Sequence, residues 1–288
     1  MKYVLITGVS SGIGRITSEY LMNKGYFVFG SVRKPKDAET LQSKYPSQFM
    51  ALHFDVTKQE EIDREKQKVV DKLNGAGLTA LINNAGTSVS GPLLHIDIDK
   101  VIQQLNINVI GVVRVIQAFA PLVGAIKNFP HTPGRIVNIS SIAGLVGNPF
   151  MGPYAASKHA LEGLSDCLRR ELMMYGVDVV LIEPGPIKSD IWNKAKADDW
   201  TMYDDTDYGY IIKKRQDVIK AAEEGAIPTE EVSKLILKAI ELKKPKTRYL
   251  IASNKRTMWL AAYVLPDRVY DRLAYKNLNS QDKFRPLS

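Results

Sequence analysis

Apolar runs of strand length recur near residues 3–7, 27–32, 50–54, 79–83, 135–140, 177–183 and 248–252. Between most of them, apolar positions return at helical intervals. Strands that alternate with helices pair in parallel, because a parallel neighbour is reached only through a long crossover. The pattern predicts an α/β fold with a doubly wound parallel sheet of about seven strands, helices on both faces, in a single domain.

The segment Lys58 to Leu73 carries apolar residues at Ile62, Val69, Val70 and Leu73 amid charge and reads as a surface helix. The segment from Asp97 to Ile126 is apolar on several sides. Burial against the sheet is the preferred reading, with a subunit contact as the alternative.

Two regions interrupt the alternation. Residues 186–228 mix Trp192, Trp200, Tyr203, Tyr208 and Tyr210 with Asp198, Asp199, Asp204, Asp205 and Asp207, the character of a substrate-binding loop or lid. Residues 253–288 form an extension beyond a catalytic domain spanning 1–252. There Trp259, Tyr263, Tyr270 and Tyr275 alternate with Arg256, Arg268, Arg272 and Lys276. Leu260, Val264, Leu265, Val269 and Leu273 are expected to pack on the same domain or on a partner subunit. Peripheral contact with an anionic membrane is the less favoured alternative.

The composition is that of a globular protein, 45% hydrophobic and 24% charged over 288 residues. No long uninterrupted apolar run stands out; the nearest candidate is Trp259 to Leu265. A single cysteine, Cys167, excludes an internal disulfide framework and fits a reducing compartment, so the expected location is cytoplasmic. That cysteine is expected to be a small buried residue. The net charge of +8 suits an anionic partner, but neither zinc-finger spacing nor an RNA-reading strand pattern accompanies it, so no nucleic acid is expected. His53, His95, His131 and His159 lack metal-ligand spacing, and no metal is expected.

Chemistry enters after the first strand, at Thr7-Gly8-Val9-Ser10-Ser11-Gly12-Ile13-Gly14. Glycines there allow a tight turn and close approach of the backbone to a pyrophosphate, and the free N–H groups of the next helix favour an anion. The second strand ends in Gly30-Ser31-Val32-Arg33-Lys34 with no carboxylate to bind a ribose 2′-hydroxyl. Arg33 instead offers a fork to a 2′-phosphate, which favours NADP(H) over NAD(H).

A second constellation is Tyr154-Ala155-Ala156-Ser157-Lys158, preceded by Ser140-Ser141 at a strand end. Four residues apart on a helix, Tyr154 and Lys158 share a face. An ammonium about 4 Å from the phenol is expected to lower its pKa toward neutrality. Tyr154 then exchanges a proton with a carbonyl or alcohol oxygen, and Ser141 holds that oxygen.

With Asn83-Asn84-Ala85-Gly86, Asn108 and Pro184-Gly185 added in the same order, the chain resembles the short-chain dehydrogenase/reductase family from residue 3 to about 190. The resemblance implies a Rossmann-type fold and a tetrad of Asn108, Ser141, Tyr154 and Lys158. It also implies that Lys158 holds the nicotinamide ribose and that Asn108 anchors a water. Asp55 and Val56 are implied at the adenine, Asn84, Ala85 and Gly86 along the cofactor, and Pro184, Gly185, Ile187 and Ser189 around the nicotinamide. Ser189 stands where the family more often has Thr, which keeps the hydroxyl. Mainly apolar positions at Val146, Asn148, Phe150 and Met151 point to a hydrophobic carbonyl or alcohol substrate, steroid, retinoid or lipid-like. A homodimer or homotetramer is implied through the helices near 97–126 and 152–175. Two alternatives stay open: an NAD-dependent alcohol dehydrogenase, and a catalytically idle nucleotide-binding regulator of the same fold.

Overall fold

The computed structural model describes residues 1–189, 192, 196, 199–212 and 215–278. One sheet contains β1 (Lys2–Ile6), β2 (Tyr26–Val32), β3 (Phe49–His53), β4 (Leu78–Asn83), β5 (Arg135–Ile139), β6 (Asp178–Pro184) and β9 (Arg248–Ile251). All neighbours are parallel, in the spatial order β3-β2-β1-β4-β5-β6-β9. Each predicted run is a strand, with ends within one residue of the expected ones. A two-stranded parallel ribbon, β7 (Ile187–Lys188) with β8 (Ile227–Pro228), closes off the 186–228 segment.

Side-chain alternation along buried strands divides the core in two. Val4, Ile6, Val28, Ile82, Val137 and Ile182 face helices α1 (Gly12–Asn23) and α9 (Thr229–Glu241). On the other side Leu5, Phe29, Leu81, Ile136 and Val179 pack with α3 (Gln59–Leu73), α5 (Gly111–Val123) and α6 (Gly152–Leu172). The short α2 (Glu39–Lys44) follows β2. Within 186–228, α7 (Gly209–Ile212) and α8 (Arg215–Glu224) give regular structure to a region expected to be irregular. Asp198 lies outside the described residues.

The expected surface helix α3 buries Ile62, Val69 and Leu73 beside the ion-paired Glu65 and leaves Val70 exposed. Two expectations need correction. The 97–126 segment is not core throughout. Its first part, α4 (Ile98–Leu105), turns Ile98 and Ile102 outward, and a π turn (Asn106–Ile110) exposes Ile110 before α5 buries Val112, Val115, Phe119 and Val123. By length and composition Ile98–Val123 also suffices to cross a bilayer, although half of its most apolar window is buried in this fold. Gln103, Gln104 and Asn106 interrupt it, so it is not an unbroken apolar run in the sequence.

Cys167 is exposed, because it lies on the outer face of α6. Helices α10 (Lys255–Tyr263) and α11 (Asp267–Leu278) leave Leu260, Val264, Leu265, Val269 and Leu273 exposed on their own domain, which leaves the alternative of packing on a partner subunit as it stood.

Candidate active site

The strand order reverses between β1 and β4, and ligands of open α/β sheets bind beyond the carboxyl ends of strands at such a point. Register brings those ends level: Ile6 pairs with Ile82, Asn83 with Asn138 and Ile139 with Ile182. The segments after β1, β4, β5 and β6 therefore open on one edge.

Buried Thr7 organises the crevice. Its hydroxyl accepts the backbone N–H groups of Asn84 and Ala85, each at 3.0 Å. The Asn84 amide donates back to the carbonyls of Thr7 and Gly8 at 2.9 Å each. Gly8 has φ of +72°, and a Cβ there would meet Ala85 Cα at 2.9 Å. At Gly14 a Cβ would lie 2.3 Å from the Gly8 carbonyl oxygen and 2.4 Å from the Asn84 amide nitrogen. Only bare backbone fits at both positions.

Ser10 is exposed, and Ser11 caps α1 with extended backbone but no side-chain capping bond, so the first N–H groups of the helix face outward from the turn. Ile13 packs on the core. Ser189 Cβ comes within 3.9 Å of where a Gly12 Cβ would stand, bringing the Pro184-Gly185 segment over the turn.

Beside it, Gly8 N–H donates to the Ser31 hydroxyl at 3.1 Å, tying the turn to β2 just before exposed Arg33. Asp55 accepts the Thr57 N–H and hydroxyl, both at 2.8 Å, in a turn that leads into α3. Val56 is buried against Gly111. A cradle closed to any Cβ, an uncapped helix start and an exposed guanidinium fit a dinucleotide with a 2′-phosphate.

Asn108 lies inside the π turn, a local irregularity of the kind found often at functional sites. Its side chain is fully engaged: Oδ1 accepts Thr87 N–H at 2.8 Å, and Nδ2 donates to the Thr87 carbonyl at 2.9 Å and to Ser157 Oγ at 3.0 Å. Asn108 thus pins the segment after β4 to α6. Gly86 approaches the same amide, 3.2 Å from its Oδ1 to a would-be Cβ.

Ser141 caps a short 3-10 turn (Ile142–Gly144), where its hydroxyl accepts Ala143 N–H at 3.1 Å. The Ser141 hydroxyl also donates to the Pro184 carbonyl at 3.4 Å, and it stands near enough to the Tyr154 phenol to act on its pKa. Buried Lys158 donates from Nζ to the Ile139 carbonyl at 2.8 Å and lies 5.7 Å from the centre of the Tyr154 ring.

The expected lowering of the Tyr154 pKa is not found. Burial pushes the phenol above its ordinary 10, with Ser141 opposing that shift. Burial also lowers Lys158 to about 8 against the pull of Glu162 one turn on. Desolvation outweighs the attraction of the ammonium here, and Lys158 Nζ is turned to the Ile139 carbonyl rather than to the phenol.

Phe150 adopts φ of +65°, a strained conformation for a bulky residue. Its ring meets Trp200 at 6.2 Å and Tyr208 at 5.7 Å, both edge-on, and Tyr203 stacks edge-on against Trp200. The 186–228 segment is thereby docked on the loop that leads into α6. Sequence reasoning missed the Thr7, Thr87 and Ser157 contacts. Only Thr7 left a signal, by preceding the glycine turn.

This crevice, with its glycine cradle and its Ser, Tyr and Lys side chains on one sheet edge, defines a Rossmann-type dehydrogenase. A family profile described as short chain dehydrogenase matches residues 2–200, and the chain belongs to that family. It is 44% identical over 278 residues to an NADPH-dependent 3-dehydrocapnine reductase of Ornithobacterium rhinotracheale, covering 96% of this chain and 98% of the relative. Retinol dehydrogenase 16 of Mus musculus is 32% identical over 285 residues, covering 95% and 88% of the two chains. A short-chain dehydrogenase from Streptomyces avermitilis shares the fold at a TM-score of 0.76, with 23% identity and coverage of 99% and 98%.

Proposed function

We propose that this oxidoreductase uses NADPH to reduce the ketone of a hydrophobic, lipid-like substrate, with Tyr154 as the proton donor. The observation that carries this is the meeting of Ser141, Tyr154 and Lys158 beside the glycine cradle. The 44% identity to a 3-dehydrocapnine reductase supports a 3-dehydro compound, a ketone, as substrate. The retinol dehydrogenase relative supports the hydrophobic, lipid-like class.

Gly8, Ser10, Ser11, Gly12, Ile13 and Gly14 would hold the pyrophosphate, Arg33 the 2′-phosphate, and Asp55 and Val56 the adenine. Asn84, Ala85, Gly86, Lys158 and the run from Pro184 to Ser189 would hold the nicotinamide half. When bound, the cofactor supplies the hydride.

Tyr154 is held protonated by burial, the state a donor to a carbonyl oxygen requires. Ser141 orients that oxygen and stabilises the phenolate left behind. The Lys158 ammonium, positive below about pH 8, favours the same charge change. Asn108 acts by position, keeping the segment after β4 against α6. Residues 186–228 serve as the lid over an apolar pocket walled by Phe150. The exposed Ile98 and Ile102 on α4 are the face we assign to self-association in a homodimer or homotetramer.

Fluorescence titration with NADPH and NADH, followed by turnover of hydrophobic ketones, tests the reading. Tyr154→Phe is expected to cut turnover by about a hundredfold or more while NADPH binds as before. Turnover retained in that variant removes Tyr154 from the mechanism. Arg33→Ala is expected to weaken NADPH binding by about tenfold or more and to leave NADH unchanged. Equal loss for both cofactors assigns the 2′-phosphate to another group.

A further inference from the structure

The C-terminal helices are built inside out. On α10 the inward positions are Met258, Ala261 and Ala262, whereas Trp259, Leu260, Tyr263 and Val264 point outward with about half of each side chain exposed. Val269 and Leu273 continue the outward face on α11, one turn apart and adjacent in sequence to Arg268 and Arg272. A helix docked only on its own domain normally buries its bulky apolar side chains.

Charge narrows the occupant. From 255 to 273 the exposed cations are Lys255, Arg256, Arg268 and Arg272, against Asp267 and Asp271. Lys255 and Arg256 occupy the first turn of α10, which holds no acidic residue. Cations there oppose the helix dipole, so this placement costs stability that a negatively charged partner would restore. A second copy docking face to face would bring the same net positive charge, four cations against two carboxylates, to both sides of the contact. A bilayer surface with anionic headgroups satisfies both features: bulky apolar and aromatic side chains enter the interface while arginines meet the headgroups.

We infer that α10 and α11 dock this protein on anionic lipid surfaces. The location suits the use. The Tyr270 hydroxyl donates to Asn148 Oδ1 at 2.8 Å, beside the pocket wall, and Tyr275 acts electrostatically on Tyr210 of the lid segment. The docking face therefore adjoins the mouth through which a lipid-like molecule would enter. Binding itself does not depend on the reductase reading.

The full chain, without cofactor or substrate, is sedimented with phosphatidylcholine vesicles and with vesicles containing phosphatidylglycerol. Binding is expected only to the anionic vesicles and is expected to weaken as salt rises. The double variant Arg268→Gln, Arg272→Gln should lower the partition coefficient by about twentyfold. Trp259→Ala should lower it as well, with an unchanged thermal midpoint showing that both variants are folded. Neither variant should alter NADPH turnover of a small water-soluble ketone, which separates this outcome from the fate of the reductase reading. Absence of vesicle binding, equal binding to neutral vesicles, or binding unchanged in the variants overturns the inference. So does a variant that changes the oligomeric state in solution, since the face would then contact a second copy.

Discussion

At the scale of single residues, the chemistry rests on two buried groups whose surroundings oppose their charged forms. Lys158 is held near 8 and Tyr154 above 10, both by loss of water. Because the folded-state pKa of the lysine is depressed, the native protein gives up its proton about two units before the unfolded chain does. Its positive charge is complete below about pH 7 and is lost as pH rises through about 8. Reduction is therefore expected to fall across pH 7 to 9 in single-turnover measurements at saturating NADPH. Lys158→Arg, which keeps its charge, should be slower but flat over that range. An identical slope in the variant would assign the titration elsewhere. Tyr154 and Lys158 were legible from their spacing, since a helix sets that spacing locally. The direction of the tyrosine shift was not legible, because burial depends on what else packs there.

Between elements, polar side chains inside the sheet do much of the positioning. Asn83 Nδ2 donates to Asn138 Oδ1, and Asn138 Nδ2 donates to Ser165 Oγ, each at 2.8 Å and fully buried. This chain links β4 and β5, which lead into Asn84 and Ser141, to α6, which carries Tyr154. Replacing Asn138 by Ala leaves two buried partners short of a bond and should destabilise the fold by about 3 kcal/mol in urea unfolding. A loss below about 1 kcal/mol would mean that the link does not hold the elements together. The strands themselves were readable as apolar runs. That two of those runs each carry an asparagine, at neighbouring positions across the sheet, became meaningful only once β4 and β5 were paired.

Across the whole molecule, a cluster of charges fastens edge strand β9 to β6 and α6. Arg248 donates to Glu162 and Asp166 at 3.0 Å each, and lies 3.4 Å from Glu183 without a hydrogen bond to it. Burial, then the negative charge of Glu162, raises Glu183 to about 7, with Arg248 opposing. A raised carboxyl pKa means the folded state keeps a proton that the unfolded chain has released. Stability is therefore expected to fall as pH rises from about 4.5 to 7, by on the order of 3 kcal/mol, and then to level off. Glu183→Gln should flatten that slope in denaturation series across the window. A slope as steep as before would place the titrating group elsewhere.

Asn108 is picked out only through the family resemblance; read from its own residues, the sequence determined the seven strands, their parallel arrangement, the glycine turn and the Tyr154 and Lys158 pair. Those features are local: a run of apolar residues, a spacing along one helix, or a glycine needed at one turn. Tertiary structure alone decided which side chains face each other and how dry they are. It brought Ser189 over Gly12, tied Asn108 to Thr87, and docked Trp200 and Tyr208 on Phe150. It also turned Cys167 and the bulky face of the C-terminal helices outward. The reason is the same in each case: helical and strand periodicity mark which residues share a face, while the neighbours that cover the face come from distant parts of the chain.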